Sequence, residues 1–335
     1  MTRQSRSPPI SGRSASSILF LLSGEETGIP AAEARALVRM QDPSASFMTP
    51  HKRVLIASTT AKPSEIGMRV AYSRRVGPMV AQDGLSKDDL RLLRKGTYAI
   101  RVFDLERKND SEGLVSDLAD EIGGKVSLDE PDRELTVVRG GHDYLAVTNP
   151  SLMRQNWIVR RPRGRAFFHP SAIFPKFSRL LVNLSGVSRG ETFLDPFCGT
   201  GSLLLEASEV GARPLGIDLH SKMVKGASRN RDKFAQEWLG VIRADSQHIP
   251  LTGVDAIATD IPYGKLATTS GSSMSRILEN LINEASSLLA CGRRLVVMHP
   301  KSIEIGRSDG FEVDEELHLF VHKKLTRTIS VLRRT

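Results

Sequence analysis

Three aspartates in the second half of the chain each end a short apolar run of the kind that forms a buried strand. They are Asp195, Asp218 and Asp260, and glycines at 199 and 201 stand directly after the first of them. In open α/β sheets, parallel strands end at one edge, and nucleotide-like ligands bind there. The spacing therefore predicts a ligand site made of carboxylates and a glycine turn.

The residues around the first aspartate limit which class of ligand the site can bind. The stretch Glu191–Ser202 reads E-T-F-L-D-P-F-C-G-T-G-S, but Leu204 replaces the third glycine of a dinucleotide fingerprint, and no P-loop lysine follows. Asp218 follows Asp195 by 23 residues, near the spacing of roughly 20 expected for a carboxylate that binds ribose hydroxyls. An acid at the first strand end also suits a cationic amino acid group. S-adenosyl-methionine combines both features and is the predicted cofactor, with an ordinary α/β turn as the alternative.

Composition limits the class of protein. The 335 residues allow two domains, and 47 Lys+Arg against 38 Asp+Glu give a net charge of +9, which favours a polyanionic partner. Two cysteines, Cys198 and Cys291, exclude a disulfide framework and indicate a reducing compartment, so we expect a cytoplasmic location. Cys198 is expected to be a small turn residue rather than a nucleophile. No Cys/His spacing predicts a metal site, and no apolar run is long enough to predict a membrane span.

The segment Asp260–Gly264 reads D-I-P-Y-G. Together with D-P-F-C-G-T-G at 195–201, it resembles the class I methyltransferases that act on exocyclic amines of bases, in particular the archaeal tRNA guanine-10 N2-methyltransferases that carry a THUMP domain. Phe167–Gly186 resembles the lead-in to the first strand of the same family. The resemblance covers the chain from about Ser17 onward.

This resemblance implies S-adenosyl-methionine-dependent mono- or dimethylation of guanosine N2 in tRNA, at position 10. One alternative is guanine N2 at another tRNA position or in ribosomal RNA. The other is an RNA-binding protein with a decayed methyltransferase fold, which Ile261 suggests because the family usually has proline there. The expected partner is tRNA; a monomer is expected, and the small zinc-binding activator protein of some relatives is left open.

The resemblance also assigns catalytic roles to the D-I-P-Y segment. The Asp260 carboxylate and the Ile261 carbonyl would accept hydrogen bonds from the target amine, Pro262 would stiffen the loop, and Tyr263 would stack on the base. Hydrogen bonds of this kind direct the nitrogen lone pair and disperse its growing positive charge. Aspartate rather than asparagine at 260 favours guanine over adenine by resemblance alone.

The predicted cofactor site extends beyond the three strand ends. Asp245 follows the third strand of the sheet and is expected to accept from the adenine amino group, with an exposed surface aspartate as the alternative. His169 matches the family segment that closes over the cofactor, although it could equally cap structure. The full predicted set is Asp195, Phe197, Gly199, Gly201, Asp218, Asp245 and His169.

The order of elements predicts four segments. Residues 1–16 form a disordered tail, 17–149 an α+β region that includes a THUMP-like RNA-binding domain, 150–166 a linker, and 167–335 a class I methyltransferase domain. The last is a doubly wound, Rossmann-like α/β sheet that ends in an antiparallel hairpin. The linker is the densest basic cluster, and its predicted RNA-binding residues are Trp157, Arg160, Arg161, Arg163 and Arg165, with a solvated linker as the alternative.

Overall fold

Two β-sheets organise the chain, one of eight strands from the N-terminal half and one of seven from the C-terminal half. The computed structural model describes residues 16–25, 28–106, 111–153, 155–262, 274–303, 305, 310–322 and 325–335. Residues 1–15 of the predicted tail, and Tyr263, lie outside the described residues, while Ser16 begins the first strand. Within the described ranges, no helix has the length and apolar character needed to cross a membrane.

The N-terminal sheet mixes antiparallel and parallel pairing, as predicted for an α+β region. Its strands are β1 (Ser16–Leu22), β2 (Ser46–His51), β3 (Val54–Thr59), β4 (Ser73–Gln82), β5 (Thr97–Asp104), β6 (Lys125–Val126), β7 (Arg133–Gly140) and β8 (His142–Thr148). The strand order is β2-β3-β1-β4-β8-β7-β5-β6, with β5 parallel to both β7 and β6. The helices of this half are α1 (Ile29–Gln41), α2 (Pro63–Gly67), α3 (Lys87–Leu93) and α4 (Ser111–Ile122).

The sequence predicts strands at 18–22, 52–58, 98–104, 126–128 and 134–139 in this half. Three of the observed strands, β2, β4 and β8, are absent from that prediction. β4 contains Gly77 and Pro78, residues that usually indicate a turn. A Cβ on Gly77 would collide with the Val147 carbonyl oxygen, so only glycine fits between the two chain segments. The first part of β4 pairs with β1 and its end pairs with β8, so this strand joins the two halves of the sheet.

The C-terminal sheet has the predicted doubly wound topology. Its strands are β9 (Thr192–Asp195), β10 (Arg213–Asp218), β11 (Gly240–Arg243), β12 (Ala256–Asp260), β13 (Arg294–Pro300), β14 (Phe311–His322) and β15 (Leu325–Arg334). The order is β11-β10-β9-β12-β13-β15-β14, in which β9 to β13 pair in parallel and β15 is antiparallel to both of its neighbours. The helices are α5 (Pro175–Leu184), α6 (Ser202–Glu209), α7 (Ser221–Lys233) and α8 (Met274–Leu288).

Helices cover both faces of the central strands β9, β12 and β13, which is why these strands carry consecutive apolar residues. Along β13, Val296 and Met298 face a core shared with α5 and α6, whereas Leu295 and Val297 face a core shared with α8. Alternate side chains of a strand point to opposite faces, so a single strand contributes to both cores. The arrangement leaves the carboxyl ends of β9 to β12 as the open edge.

The two halves of the molecule are joined by a buried polar contact between α1 and α5. The Asn183 amide donates to Glu33 Oε1 over 2.7 Å, and the backbone N–H of Tyr72 donates to Glu33 Oε2 over 2.8 Å. Arg69 donates to the Val187 carbonyl over 2.9 Å. Burial raises the pKa of Glu33 above its ordinary value. The division at 150–166 stays a prediction; two single 3₁₀ turns, Pro150–Met153 and Pro162–Gly164, lie in that segment.

Candidate active site

Four aspartates lie together at the carboxyl edge of the C-terminal sheet. Asp195, Asp218 and Asp260 are the last residues of β9, β10 and β12, and Asp245 follows the end of β11. All four line one cavity of about 290 Å³. The remaining lining residues that matter below are Ser171, Ala172, Ile173, Phe197, Gly199, Ser246, Gln247, Ile261 and Pro262. The structure thus brings together most of the residues that the sequence places on separate strands.

The glycine turn is held by the second aspartate. Gly199 lines the cavity, and its N–H donates to Asp218 Oδ2 over 3.0 Å. Gly201 is absent from the lining; it has φ +80°, and a Cβ there would lie 2.8 Å from the Trp238 ring. The positive φ and the close ring both require glycine. Gly201 therefore has a structural role as the residue before the first turn of α6, and its predicted cofactor contact stays a prediction.

Asp195 is buried at the centre of the edge. Its Oδ1 accepts from Thr259 Oγ1 over 2.7 Å and from the Phe197 N–H over 3.1 Å. Burial raises the pKa of Asp195 to about 7, and the neighbouring Asp218 and Asp260 carboxylates add to the increase. A cationic ligand group in the cavity would favour the ionised carboxylate, because an opposite charge offsets the cost of desolvation.

Asp218 and Asp245 lie further toward solvent. Asp218 Oδ1 accepts from the His220 N–H over 2.8 Å, in addition to its bond from Gly199. Asp245 is exposed, and its Oδ1 accepts from the Gln247 N–H over 3.0 Å. Each carboxylate oxygen has a second lone pair, so both side chains can accept further hydrogen bonds from a ligand.

Only one oxygen of the Asp260 carboxylate has a hydrogen-bond partner among the described residues. Its Oδ2 accepts from Arg327 Nη1 over 2.8 Å, whereas its buried Oδ1 has no hydrogen-bond partner in the described part of the chain. Burial raises the pKa of Asp260 to about 6, although Arg327 acts in the opposite direction. A buried acceptor without a partner is costly unless a ligand supplies a donor.

Ile261 is fully buried beneath the cavity and packs in the core with Ile217 and Leu278. Its N–H donates to the Met298 carbonyl of β13 over 3.1 Å. A proline here, as the resembling family usually has, could not make this bond, because proline has no N–H. The hydrogen bond anchors the loop to the sheet, so the rigidity that proline would give has a different source in this chain.

A further predicted site residue, His169, lies outside the cavity lining. Phe197 lines the cavity, but His169 does not; its Nδ1 lies 2.7 Å from Ser171 Oγ, and Ser171–Ile173 form the wall instead. His169 therefore orders the segment that closes the cavity. Cys198 is buried against Gly216, and burial raises the pKa of its thiol, which matches a turn residue rather than a nucleophile.

The linker arginines divide into two groups, which corrects the predicted RNA-binding set. Arg160 is buried and pairs with Glu206 over 2.8 Å and Glu209 over 3.1 Å. Arg165 is also buried and donates to Ser202 Oγ over 2.6 Å. Neither guanidinium is available to RNA phosphates, because both are buried and bonded to side chains of α6. Arg161 and Arg163 are exposed.

Trp157 belongs to the same internal cluster. The guanidinium carbons of Arg160 and Arg179 each lie 5.7 Å from the centre of its half-buried ring. Its predicted role in stacking on a base stays a prediction. The signal for this cluster is Glu206, a carboxylate within the apolar run L-L-L-E-A of α6. A buried carboxylate requires a cationic partner, and the nearby basic segment supplies it.

One residue of the site was not predicted at all. Arg327 lies 67 positions beyond Asp260 and has no motif around it. Its place beside the carboxylate depends on the terminal hairpin folding back next to β13. No signal in a single sequence indicates that contact.

The cavity fits an S-adenosyl-methionine molecule by the chemistry of its donors and acceptors. Asp218 and Asp245 offer acceptors for hydroxyl and amino groups, the glycine turn allows close approach, and Asp195 offers a negative charge. In the described ranges, no three His, Cys, Asp or Glu side chains gather as a metal site. Fold and site define a class I methyltransferase.

Comparisons with known proteins agree. The family model described as "RMKL-like, methyltransferase domain" matches residues 162–328. The tRNA (guanine(10)-N2)-dimethyltransferase of Methanothermobacter thermautotrophicus is 28% identical over 333 residues, which cover 95% of this chain and 99% of the relative. A shorter relative is the probable tRNA (guanine(10)-N2)-dimethyltransferase of Methanothermococcus thermolithotrophicus. It is 31% identical over 169 residues, which cover 48% of this chain and 99% of the relative.

The fold has solved counterparts as well. TrmN from Thermus thermophilus superimposes with a TM-score of 0.51 at 19% identity, covering 95% of this chain and 100% of TrmN. The chain belongs to the RMKL-like methyltransferase family. This confirms the predicted resemblance, the class I fold, the enzyme class and S-adenosyl-methionine as the cofactor. The THUMP-like domain stays a prediction.

Proposed function

We propose that this enzyme methylates N2 of guanosine in tRNA, at guanine 10, and adds up to two methyl groups. The observation that carries the proposal is the Asp260 carboxylate at the cavity, with Oδ2 held by Arg327 and Oδ1 without a partner in the described part of the chain. The relatives that align over almost the whole chain are named tRNA (guanine(10)-N2)-dimethyltransferases, which supports the target and the second methylation.

Cofactor binding is assigned to three of the four carboxylates at this edge of the sheet. Asp218 accepts from the ribose hydroxyls, Asp245 accepts from the adenine amino group, and Asp195 attracts the cationic amino acid end. Gly199 lets the backbone approach, and Phe197 supplies an apolar wall. When bound, S-adenosyl-methionine supplies an electrophilic methyl group.

The target amine is activated by acceptors rather than by a strong base. The guanine N2 lone pair is delocalised into the ring, so the free amine is a poor nucleophile. Asp260 Oδ1 and the Ile261 carbonyl accept its two hydrogens, which aims the lone pair and stabilises the positive charge that grows on nitrogen. Pro262 restricts the loop, and Tyr263 is assigned to stack on a base that has left its helix. The proton is lost after methyl transfer.

The RNA partner is assigned to exposed basic surface and to the N-terminal region. Arg161 and Arg163 are exposed on the linker, and the chain has an excess of nine positive charges. Cationic side chains bind phosphates by releasing condensed counterions. The N-terminal sheet is proposed to act as the THUMP-like RNA-binding domain. A monomeric, cytoplasmic enzyme stays a prediction, as does the question of an activator subunit.

The first experiment transfers labelled methyl groups from S-adenosyl-methionine to unmodified tRNA transcripts, followed by nucleoside analysis. We expect N2-methylguanosine and N2,N2-dimethylguanosine, both lost when guanine 10 is replaced. Label in N2-methylguanosine that persists in that transcript would retain the chemistry and reject the position. Binding of tRNA without any transfer, also in the presence of candidate activator proteins, would favour the decayed, non-catalytic alternative.

The linker prediction has its own test. In Arg161→Ala/Arg163→Ala, tRNA affinity should fall, and the slope of log affinity against log salt should lessen by about 1 for each phosphate that the variant no longer binds. Arg333→Ala is the matched control, because this half-buried arginine belongs to β15 rather than to the linker and pairs with Glu312 and Asp314. Equal salt slopes in all three proteins would remove Arg161 and Arg163 from the interface.

A further inference from the structure

We propose that Arg327 is a positioning residue for methyl transfer: it fixes one oxygen of the Asp260 carboxylate and keeps the other as an ionised acceptor for the target amine. The inference rests on the proposed function, since it concerns the acceptor in that reaction.

The position of β15 brings the guanidinium over the neighbouring strand. β13 lies between β12 and β15; Asp260 is in register with Met298 of β13, and Arg327 is in register with Pro300. Strands are about 4.8 Å apart, so the side chain crosses roughly 10 Å to reach Asp260. Only lysine and arginine carry a charge over this distance, and arginine adds a planar fork that fixes direction.

The contacts hold the Asp260 carboxylate in one orientation. Arg327 Nη1 lies 2.8 Å from Asp260 Oδ2 and 3.8 Å from Met298 Sδ. Both ionic side chains are 13% exposed, so water screens the pair weakly. With Oδ2 engaged, Oδ1 is the oxygen left for the substrate at the cavity.

The charges explain why the arginine is needed. Burial raises the pKa of Asp260, and the charge and hydrogen bond of Arg327 lower it. Asp195 on β9 is a further acidic neighbour, and its own pKa is raised by Asp260. Without Arg327, burial would favour the protonated form of Asp260. A protonated carboxyl carries an O–H donor in place of one acceptor, so it would compete with the amine hydrogens that it must accept.

Arg327→Gln tests the charge. The expected result is at least a tenfold loss of kcat at pH 7, little change in KM for S-adenosyl-methionine, and an acid limb of the pH–rate profile that moves to higher pH. Arg327→Lys should recover part of the rate, because it restores charge without the planar fork. Arg333→Gln is the matched control: it removes another arginine of the same strand, one that pairs with Glu312 and Asp314, and should leave the profile unchanged.

A second measurement does not depend on methyl transfer. Protein labelled with ¹³Cγ-aspartate is titrated by NMR, and the Asp260 signal is assigned from its absence in Asp260→Asn. The Asp260 midpoint should rise by one pH unit or more in Arg327→Gln, and by less in Arg327→Lys. If the wild-type enzyme transfers no methyl group to tRNA, the proposed function fails while this titration still tests the arginine.

Two results would overturn the proposal. One is an unchanged Asp260 midpoint in Arg327→Gln and Arg327→Lys. The other is equal loss of rate in Arg327→Gln and Arg327→Lys at every pH, with lowered thermal stability, which would indicate that the ion pair only supports the fold. If Arg327→Gln does not fold, Arg327→Lys decides. An unchanged Asp260 midpoint and an unchanged pH–rate profile in Arg327→Lys would overturn the proposal. A raised Asp260 midpoint with an acid limb shifted to higher pH would support it.

Discussion

The inner and outer carboxylates of the active-site edge differ although all four follow parallel strands. Asp195 and Asp260, on the central strands β9 and β12, are buried or nearly so, and burial raises the pKa of both. Asp218, at the end of β10, and Asp245, just after β11, accept backbone N–H groups closer to solvent. Depth in the sheet therefore distinguishes residues of the same type.

The difference separates two tasks. An acceptor that must stabilise growing charge is most effective where water is excluded, because electrostatic interactions are stronger there. A group that recognises hydroxyls or an amino group needs only free lone pairs at the cavity wall. The central pair is thus suited to charge, and the outer pair to recognition of polar groups.

The strongest test of this division is the removal of the central acceptor. Asp260→Ala should lower kcat by roughly 10²- to 10³-fold, the range for loss of one preorganised electrostatic group. Cofactor affinity, measured by isothermal titration, should stay within a few-fold. Asp260→Asn is the matched control: it keeps an acceptor oxygen and should retain more activity. Normal tRNA methylation by Asp260→Ala would falsify the mechanism.

Asp218→Ala tests the outer pair where it is most engaged. The change removes the carboxylate proposed to bind ribose hydroxyls and releases the Gly199 and His220 N–H groups. Hydrogen bonds to a charged group contribute about 1.5–3 kcal/mol, so Kd for the cofactor should rise about 10- to 100-fold. The Kd of Asp218→Asn for the cofactor should lie between those of the wild type and Asp218→Ala. An unchanged Kd in Asp218→Ala would show that Asp218 does not bind the cofactor.

Asp195→Asn tests burial through stability. An acid with a pKa of about 7 when folded and 3.8 as the reference binds its proton more tightly when folded. Its contribution is fully favourable below about pH 4 and is lost as the pH rises through about 7. Asparagine keeps an oxygen for Thr259 and cannot ionise.

Melting curves from pH 4 to 8 without cofactor should therefore show Asp195→Asn gaining stability relative to the wild type, by about a few degrees at pH 8. A difference in Tm that is constant with pH would show that Asp195 does not titrate in this range.

The smallest effect is expected at the exposed member of the outer pair. Asp245→Ala should weaken cofactor binding by about 2- to 5-fold, the equivalent of one modest hydrogen bond. The measurement is a competition between S-adenosyl-methionine and an analogue that lacks the adenine amino group. The wild type should prefer the cofactor over the analogue, and this preference should be smaller in Asp245→Ala. An equal preference in both proteins would show that Asp245 is a surface residue that does not bind the adenine amino group.

The sequence predicted the architecture of the methyltransferase half more fully than that of the N-terminal half. Apolar runs buried on both faces give clear strand signals, and the Asp195 and Asp260 motifs occur at strand ends. β2, β4 and β8 are less clear, since β4 carries Gly77 and Pro78 and depends on pairing with both β1 and β8. Cross-strand neighbours decide such strands, and a local pattern does not show them.

The sequence by itself determined the chemical inventory: the carboxylates, the glycine turn, the D-I-P-Y segment and the cofactor class. Only the tertiary structure decided which groups are available. It turned Arg160 and Arg165 inward to Glu206 and Ser202, and it placed Arg327 on Asp260 across an intervening strand. The physical reason is that burial and charge pairing depend on residues distant in sequence, because desolvation makes a charged group's state depend on its spatial neighbours.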